Sequence, residues 1–335
     1  AIFFWGKIMQ TLIEQLKNEP PWALADKIRA KYCGKEVQIR GIIEFSNYCF
    51  RNCLYCGLRK DNKALKRYRL EPDEIIAIAQ KAFQVGYKTI VLQSGEDPYY
   101  TQEMITYIIK GIKKIGDLAI TLSLGEREYQ EYACWKKAGA DRYLLKHETA
   151  DPKLYAQLHP QASLEKRLQS LYQLKELGYQ TGSGFIVGLP GQTVETIAQD
   201  LLIFKKLDVE MAGIGPFIPH PDTPLGKNKI TKESISLTLK AIALSRIMLK
   251  RTHLPTTTAL EVAARVNAFQ IGANVIMRKV IPWSYRKLYE IYPQTLGKEK
   301  TLLEERKAVE KYIKACGRIV SQTRGDAILL NEELI

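Results

Sequence analysis

The chain has 335 residues, of which 46% are hydrophobic and 26% are charged, and its formal net charge is +14. This composition is typical of globular chains and excludes a disordered, collagen-like or small disulfide-stapled protein. We find no apolar run of the roughly 18 residues that a membrane-spanning helix needs, so we expect a cytoplasmic protein with no membrane partner. The basic residues are spread along the chain, so we expect most of the excess charge on the solvated surface, and an anionic small molecule is favoured over RNA as a partner.

Short apolar or β-branched runs alternate with longer segments of helical periodicity, and this alternation predicts a parallel sheet. The predicted strands are residues 37–45, 89–92, 118–124, 142–145, 181–187, 209–214, 254–259 and 273–277. The predicted helices between them are residues 73–85, 102–115, 127–137, 164–177, 193–207 and 232–250. Eight such units with right-handed crossovers predict an α/β fold, a single (βα)8 barrel of the TIM type.

The segments outside the predicted barrel give the expected domain organisation. We expect an N-terminal helical segment over residues 1–35, the barrel over 36–295 and a C-terminal helical extension over 296–335. Polar and glycine-rich segments follow most of the predicted strands. Because the carboxyl ends of barrel strands share one rim, where the active sites of such barrels lie, the sequence predicts a functional site at that rim.

Three of the six cysteines crowd into one predicted loop after the first strand. Cys49, Cys53 and Cys56 form a C-x3-C-x2-C array. Three thiolates at this spacing can bind three corners of a 4Fe–4S cluster and leave the fourth iron open. A structural zinc site is the main alternative, although zinc requires a fourth ligand and none lies nearby in the sequence. A surface redox switch is a weaker alternative.

The cysteine array, with Tyr55 just before its last cysteine, resembles the radical S-adenosylmethionine (SAM) superfamily. Within that superfamily, several segments resemble the HydE family of FeFe-hydrogenase maturases. These segments are residues 41–49, 56–59, 91–99, 121–126, 140–145, 147–150, 188–193 and 213–221. The resemblance implies an enzyme that cleaves SAM to methionine and a 5′-deoxyadenosyl radical during assembly of the diiron site of FeFe-hydrogenase.

The resemblance also implies the cofactors and their contacts, namely one 4Fe–4S cluster held by the three cysteines and SAM. The implied SAM contacts are Tyr55 at the adenine, Ser94, Gly95 and Glu96 at the methionine amine, Ser123, Glu148 at the ribose and Arg167 at the methionine carboxylate. The implied substrate residues are Gln93, Thr121, Arg142, Met211, Thr257, Thr258, Tyr289 and Tyr292. In isolation, a surface charge would be the favoured explanation of Glu148 and of Arg167, and the rim position and the matching motif favour the SAM contacts instead. Core packing would explain Met211 and the tyrosines.

The implied partners are an anionic small-molecule or organometallic substrate, a reductase, flavodoxin or ferredoxin as electron donor, and other hydrogenase maturases. The sequence also departs from the family. No second cluster is expected because Cys316 is the one cysteine in the C-terminal region, Lys146 replaces an arginine, the stretch 259–265 is altered, and Arg278-Lys279 replaces Pro-Asn. The alternatives are therefore a PylB-like mutase, a sulfur-inserting enzyme of the biotin synthase type, and a non-catalytic iron–sulfur carrier.

Overall fold

The computed structural model describes residues 2–20, 22–264, 268–293 and 297–327, in which eight parallel strands form a nearly closed barrel. The strands are β1 (Glu36–Ser46), β2 (Thr89–Ser94), β3 (Ala119–Ser123), β4 (Arg142–Leu144), β5 (Gln180–Val187), β6 (Met211–Pro216), β7 (Pro255–Thr256) and β8 (Val275–Lys279). Their order in the sheet is β6-β5-β4-β3-β2-β1-β8-β7. The predicted (βα)8 barrel is confirmed.

The seam between β6 and β7 is joined near the amino ends of these two strands. Met211 forms a bridge with His253. The N–H of Ala212 donates to the His253 carbonyl at 3.0 Å, and the N–H of His253 donates to the Glu210 carbonyl at 2.9 Å. The predicted strand over residues 254–259 was too long, because the chain turns into a helix at Thr258.

The helices cover the outside of the barrel. They are α1 (Ile2–Lys17), α2 (Trp22–Cys33), α3 (Pro72–Gln84), α4 (Gln102–Lys113), α5 (Tyr129–Ala138), α6 (Pro152–Leu158), α7 (Leu164–Glu176), α8 (Val194–Leu207), α9 (Lys232–Leu249), α10 (Thr258–Ala264), α11 (Trp283–Arg286) and α12 (Leu302–Ala315). Local signals set their ends: a capping box of Glu71 and Glu74 opens α3, and Gly139 with a φ of 114° ends α5. None of the described helices is both long and apolar enough to cross a bilayer.

After α12 the chain returns to the amino end of the barrel. The short strand β9 (Ile319–Val320) pairs with the start of β1. Residues 321–327 then follow, and Gln38 at the start of β1 donates to the Ser321 hydroxyl at 2.8 Å. The expected boundary between barrel and extension, at residues 295 and 296, lies outside the described residues, as does Arg265 of the altered stretch.

Candidate functional site

The three clustered cysteines lie on the loop that follows β1, at the carboxyl rim of the barrel. All three are half-buried. The Cys49 thiol accepts a hydrogen bond from the Glu96 N–H at 3.3 Å, which joins the cysteine loop to the segment after β2. Cys53 and Cys56 contact a small buried apolar cluster composed of Tyr55, Leu154, Leu158, Leu189 and Phe217.

The electrostatics of the three thiols suit a bound cation. Burial raises the pKa of Cys49, Cys53 and Cys56, that of Cys56 to about 12. Negative charge on neighbouring thiols raises the pKa of Cys53 and Cys56 further, and the Glu96 carboxylate does the same for Cys49. Thiols placed in this way keep their protons at neutral pH unless a metal stabilises the thiolates. The donor set of three thiols in a partly apolar loop therefore fits an iron–sulfur cluster.

The geometry gives no support to the zinc alternative. Within the described ranges, no three His, Cys, Asp or Glu side chains gather closely enough to hold one metal ion. A zinc site requires such a group around a single point, whereas a cluster presents a different iron to each thiolate.

Gly95 allows the close approach between the cysteine loop and the segment after β2. A Cβ atom at this position would lie 2.2 Å from the Tyr48 carbonyl oxygen and 2.7 Å from the Cys49 Cβ. Glycine is thus required here for a steric reason.

The two predicted serine contacts lie at neighbouring strand ends. Ser94 donates to the Gly95 carbonyl at 2.7 Å, and Ser123 pairs with Gln93 in the β2–β3 register.

Four buried or nearly buried charges form a closed ring beside the cysteine loop, which we call the charge ring: Arg51, Glu96, Glu126 and Arg167. The Arg51 guanidinium contacts Glu96 at 2.8 Å and Glu126 at 2.9 Å. The Arg167 guanidinium contacts the same two carboxylates, at 3.2 Å and 2.7 Å. Arg51 and Glu126 were not among the predicted site residues, and the contacts of Arg51 with residues 45 and 75 positions away explain why local patterns miss it.

Glu148 lies on the loop after β4 and adopts a left-handed backbone conformation with a φ of 65°. Such a conformation is strained for a residue with a side chain and is common at functional sites. Hydrogen bonds with β5 hold it in place, because the Glu148 N–H donates to the Gly184 carbonyl at 2.9 Å and its carbonyl accepts from Ile186 at 3.0 Å. Its carboxylate pairs with Lys146 at 3.0 Å.

Tyr55 is buried and its hydroxyl lies 2.7 Å from Nε2 of His159. Because Nδ1 of His159 lies 2.9 Å from the Tyr155 carbonyl, this nitrogen donates and Nε2 accepts from Tyr55. Burial lowers the pKa of His159 to about 4, so this neutral tautomer is the form at neutral pH. The hydrogen bond fixes the tyrosine ring beside the cysteines.

A cavity of about 720 Å³ extends inward from this rim, and both Tyr55 and Glu148 line it. It brings together six of the eight predicted substrate residues, which are Gln93, Thr121, Met211, Thr257, Thr258 and Tyr292. A seventh, Tyr289, is buried with its ring 5.7 Å from the Lys279 ammonium. Predicted cofactor residues and predicted substrate residues therefore share one cavity.

Arg142, the eighth predicted substrate residue, is placed differently from the prediction. It is the first residue of the three-residue strand β4, and its guanidinium is bound by the C-terminal segment. It donates to the carbonyls of Arg324 and Gly325 at 2.8 and 2.7 Å, and it pairs with Asp326 at 2.9 Å. These contacts occupy Arg142 in the structure, so it is not the residue that presents a free cation to the cavity.

Arg40 of β1 is the buried cation that the sequence interpretation missed. It is 4% exposed and lines the cavity. Its Nη1 lies 3.0 Å from the Met211 sulfur, while its Nε and Nη2 have no hydrogen-bond partner among the described residues. The hydroxyl of Thr121, in the same cavity, likewise has no partner among them. Unpartnered buried polar groups are costly, and their presence in a cavity points to a ligand.

Comparison with known proteins identifies the family. Residues 43–202 match the model of the Radical SAM superfamily. Over 279 residues the chain is 57% identical to the FeFe hydrogenase maturase subunit HydE of Thermotoga maritima, in an alignment that covers 82% of this chain and 79% of that protein. The chain belongs to the HydE family of radical SAM enzymes. Membership of this family implies a 4Fe–4S cluster and SAM, and it confirms the prediction of an enzyme over that of a non-catalytic carrier.

Two further relatives extend the comparison. The chain is 30% identical over 274 residues to a 3-methylornithine synthase of Methanosarcina acetivorans, covering 81% of this chain and 77% of that protein. The crystal structure of the methylornithine synthase PylB superposes with a TM-score of 0.82 at 25% identity, covering 95% of this chain and 97% of that one. The barrel is thus common to both branches, and the site residues must distinguish them.

Proposed function

We propose that this enzyme, like the relative named HydE, acts in assembly of the diiron site of FeFe-hydrogenase by cleaving SAM inside the barrel. Cys49, Cys53 and Cys56 would hold the cluster, and residues 36–295 would form the catalytic unit. When bound and reduced, the cluster supplies the electron that splits SAM into methionine and a 5′-deoxyadenosyl radical. The remaining steps depend on binding, orientation and exclusion of water by the protein.

The single observation that carries this proposal is the hydrogen bond from the Glu96 N–H to the Cys49 thiol. It joins the expected cluster loop to the segment Ser94–Gly95–Glu96, where the methionine amine would bind. Arg167, 3.2 Å from Glu96, would pair with the methionine carboxylate. Glu148 would hold the ribose hydroxyls and Tyr55 would lie beside the adenine, so one continuous surface would orient the whole cofactor.

Below the cofactor, the cavity would receive an anionic substrate. Arg40 has two guanidinium nitrogens without a partner among the described residues, and Thr121 offers a hydroxyl in the same state. Such donors suit an anionic group, and burial strengthens the interaction because water does not compete. We propose that Arg40 takes the role that the sequence suggested for Arg142, together with Thr257, Thr258, Tyr292 and Met211.

The partners follow from the same chemistry. The electron would come from a reductase, a flavodoxin or a ferredoxin in the cytoplasm, and the substrate and product would pass between this enzyme and other hydrogenase maturases.

Anaerobic turnover with SAM and a chemical reductant tests the proposal. The reconstituted wild type is expected to release 5′-deoxyadenosine, and Cys53→Ala is expected to lose this activity together with about one cluster's worth of iron. Cys134→Ala is the matched control, since Cys134 lies on α5 with its sulfur 3.5 Å from Thr106. Full 5′-deoxyadenosine production by Cys53→Ala would show that the cysteine assignment is wrong.

A mutase acting on an amino acid is the second candidate, and the close structural likeness to PylB favours it. The cavity also carries the ion pair Lys279–Glu44 at 2.9 Å, which offers both charges that an amino acid requires. Turnover of free lysine to a rearranged amino acid would select this candidate. Maturation of an FeFe-hydrogenase by extracts that contain this enzyme in place of HydE would select the first.

A further inference from the structure

Within the charge ring, Arg167 has two carboxylate partners in addition to the SAM carboxylate that it is proposed to bind. Arg167 would bind the methionine carboxylate, yet it already contacts Glu96 and Glu126. A guanidinium that faces two carboxylates alone would be surrounded by a net negative charge. That charge would repel a third carboxylate.

Arg51 changes this balance. It lies between the first two cysteines of the array and contacts both carboxylates from the opposite side, with Nε on Glu96 at 2.8 Å and Nη2 on Glu126 at 2.9 Å. Two guanidinium groups and two carboxylates give the ring a formal charge of zero. Each glutamate directs one oxygen to Arg51 and the other to Arg167. Neither carboxylate therefore binds the Arg167 guanidinium with both of its oxygens.

The surrounding backbone fixes this arrangement. Gly125 has a φ of 75°, and a Cβ there would lie 2.0 Å from Cγ of Glu96, so a glycine is required to admit the glutamate side chain. The Phe50 N–H donates to the Glu96 carbonyl at 3.0 Å, next to Arg51. The ring is nearly dry, since Glu96 and Arg167 are both 8% exposed. A change of one charge is therefore poorly screened by solvent.

We infer that Arg51 is a positioning residue for SAM: it holds Glu96 and Glu126 and offsets their charge, so that Arg167 can accept the methionine carboxylate. The inference rests on the proposed SAM site. It assigns Arg51 no contact with the adenosine half of SAM. Its loss must therefore weaken the binding of ligands that carry the amino-acid group and spare ligands that lack it.

Equilibrium binding to the reconstituted protein tests this with two probes. One is SAM, and the other is 5′-deoxy-5′-methylthioadenosine, which shares the adenosine and the sulfur but lacks the amino-acid group. Arg51→Gln is expected to weaken SAM binding about tenfold or more, the effect of one uncompensated charge, and to change methylthioadenosine binding less than about twofold. Arg51→Lys, which keeps the charge and loses the fork, is expected to fall between.

The double variant Arg51→Gln/Glu126→Gln restores a neutral ring and is expected to recover most of the SAM affinity. Arg59→Gln is the control, because Arg59 lies on the same loop and pairs with Asp61 at 3.9 Å. Iron content is measured for every variant, so that binding is compared at equal cluster occupancy. If Arg51→Gln loses the cluster, the SAM affinity of the wild type is compared with that of Arg51→Lys and of the double variant.

Three results would overturn the inference. Equal SAM affinity in the wild type and Arg51→Gln would do so, and so would a parallel loss of both ligands, which would mean that Arg51 only supports the loop. Failure of the double variant to bind SAM better than Arg51→Gln would exclude charge compensation. Failure of the wild type to bind SAM would instead remove the proposed function, and this inference with it.

Discussion

At the carboxyl rim, the cysteine loop contacts the segment after β2 closely because Gly95 has no side chain. Gly95→Ala would place a Cβ 2.2 Å from the Tyr48 carbonyl oxygen, and the backbone of the cysteine loop would have to move. We expect this variant to retain less than about half of the wild-type iron after anaerobic reconstitution, because a displacement of the order of 1 Å misplaces a ligand.

Gly213→Ala is the matched control for this steric effect. It lies on β6 of the same barrel, and an added Cβ would meet its nearest atom, the Ser183 carbonyl oxygen, at 3.9 Å. Wild-type iron and sulfide content in Gly95→Ala would show that the close approach has no role in holding the cluster.

Arg40 and Arg246 are both buried arginines, but their surroundings predict opposite responses to mutation. Arg246 donates to the Gly272 carbonyl at 2.8 Å and to the Asn274 side chain at 3.1 Å, whereas Nε and Nη2 of Arg40 have no partner among the described residues. Arg40→Met removes an unpaired buried charge and is expected to leave the stability unchanged or raise it by about 1 kcal/mol. Arg246→Met is expected to destabilise the protein by about 3 kcal/mol.

Urea unfolding of the two variants and the wild type measures this difference. If Arg40→Met lowers the free energy of unfolding as much as Arg246→Met does, Arg40 is an ordinary structural residue, and the proposed anion contact loses its support.

At the scale of elements, strands and helices could be predicted because apolar runs, caps and glycines act locally. The site was predicted less completely. The C-x3-C-x2-C spacing marks the cysteines, but nothing near Arg51 in the sequence reveals its carboxylate partners on other loops. Arg142 differs from the prediction in another way: it is the first residue of the three-residue strand β4, and its guanidinium contacts residues 324–326 of the C-terminal segment. The position of a residue within its strand decides whether its side chain lies toward the carboxyl rim or toward the amino end of the barrel. Sequence patterns locate the ends of a strand too imprecisely to fix that position.

Adjacent strands β1 and β8 place Glu44 and Lys279 together in the cavity, and this pair predicts a pH effect. Burial raises the pKa of Glu44 from its ordinary 4.5 to about 7, although the Lys279 ammonium 2.9 Å away opposes the shift. The folded state therefore binds a proton that the unfolded state releases between these values. The stability that this proton confers is complete below pH 4.5 and is lost as the pH rises through 7.

Urea unfolding of the cluster-free protein from pH 5 to 7.5 measures this effect. Glu44→Gln cannot titrate, so its free energy of unfolding is expected to decline less than that of the wild type over this range, by on the order of 2 kcal/mol. The exposed Glu176→Gln serves as the control and is expected to follow the wild type. Identical pH profiles for Glu44→Gln and the wild type would contradict the raised pKa.

On the scale of the whole molecule, the two ends of the barrel differ. The carboxyl rim carries the cysteine loop and the charge ring, and the cavity extends inward from it. At the amino end, the C-terminal segment packs against the strand starts, where Thr89 donates to the Arg324 carbonyl at 2.8 Å and His253 lies 3.3 Å from the Asp326 carbonyl. A radical in the cavity would thereby be shielded from water on the side away from SAM.

Arg142 links this segment to the barrel, so Arg142→Met tests the amino-end closure. The change removes the donors for two backbone carbonyls and the partner of Asp326, and it is expected to cost about 3 kcal/mol of stability. The loosened segment is also expected to be cut faster by trypsin after Arg324, because proteolysis follows local opening. Asp117→Asn removes an exposed partner of Arg324 at 3.1 Å and is expected to change both properties little. If Arg142→Met unfolds and is cleaved like the wild type, the segment does not seal the barrel, and water exclusion must come from elsewhere.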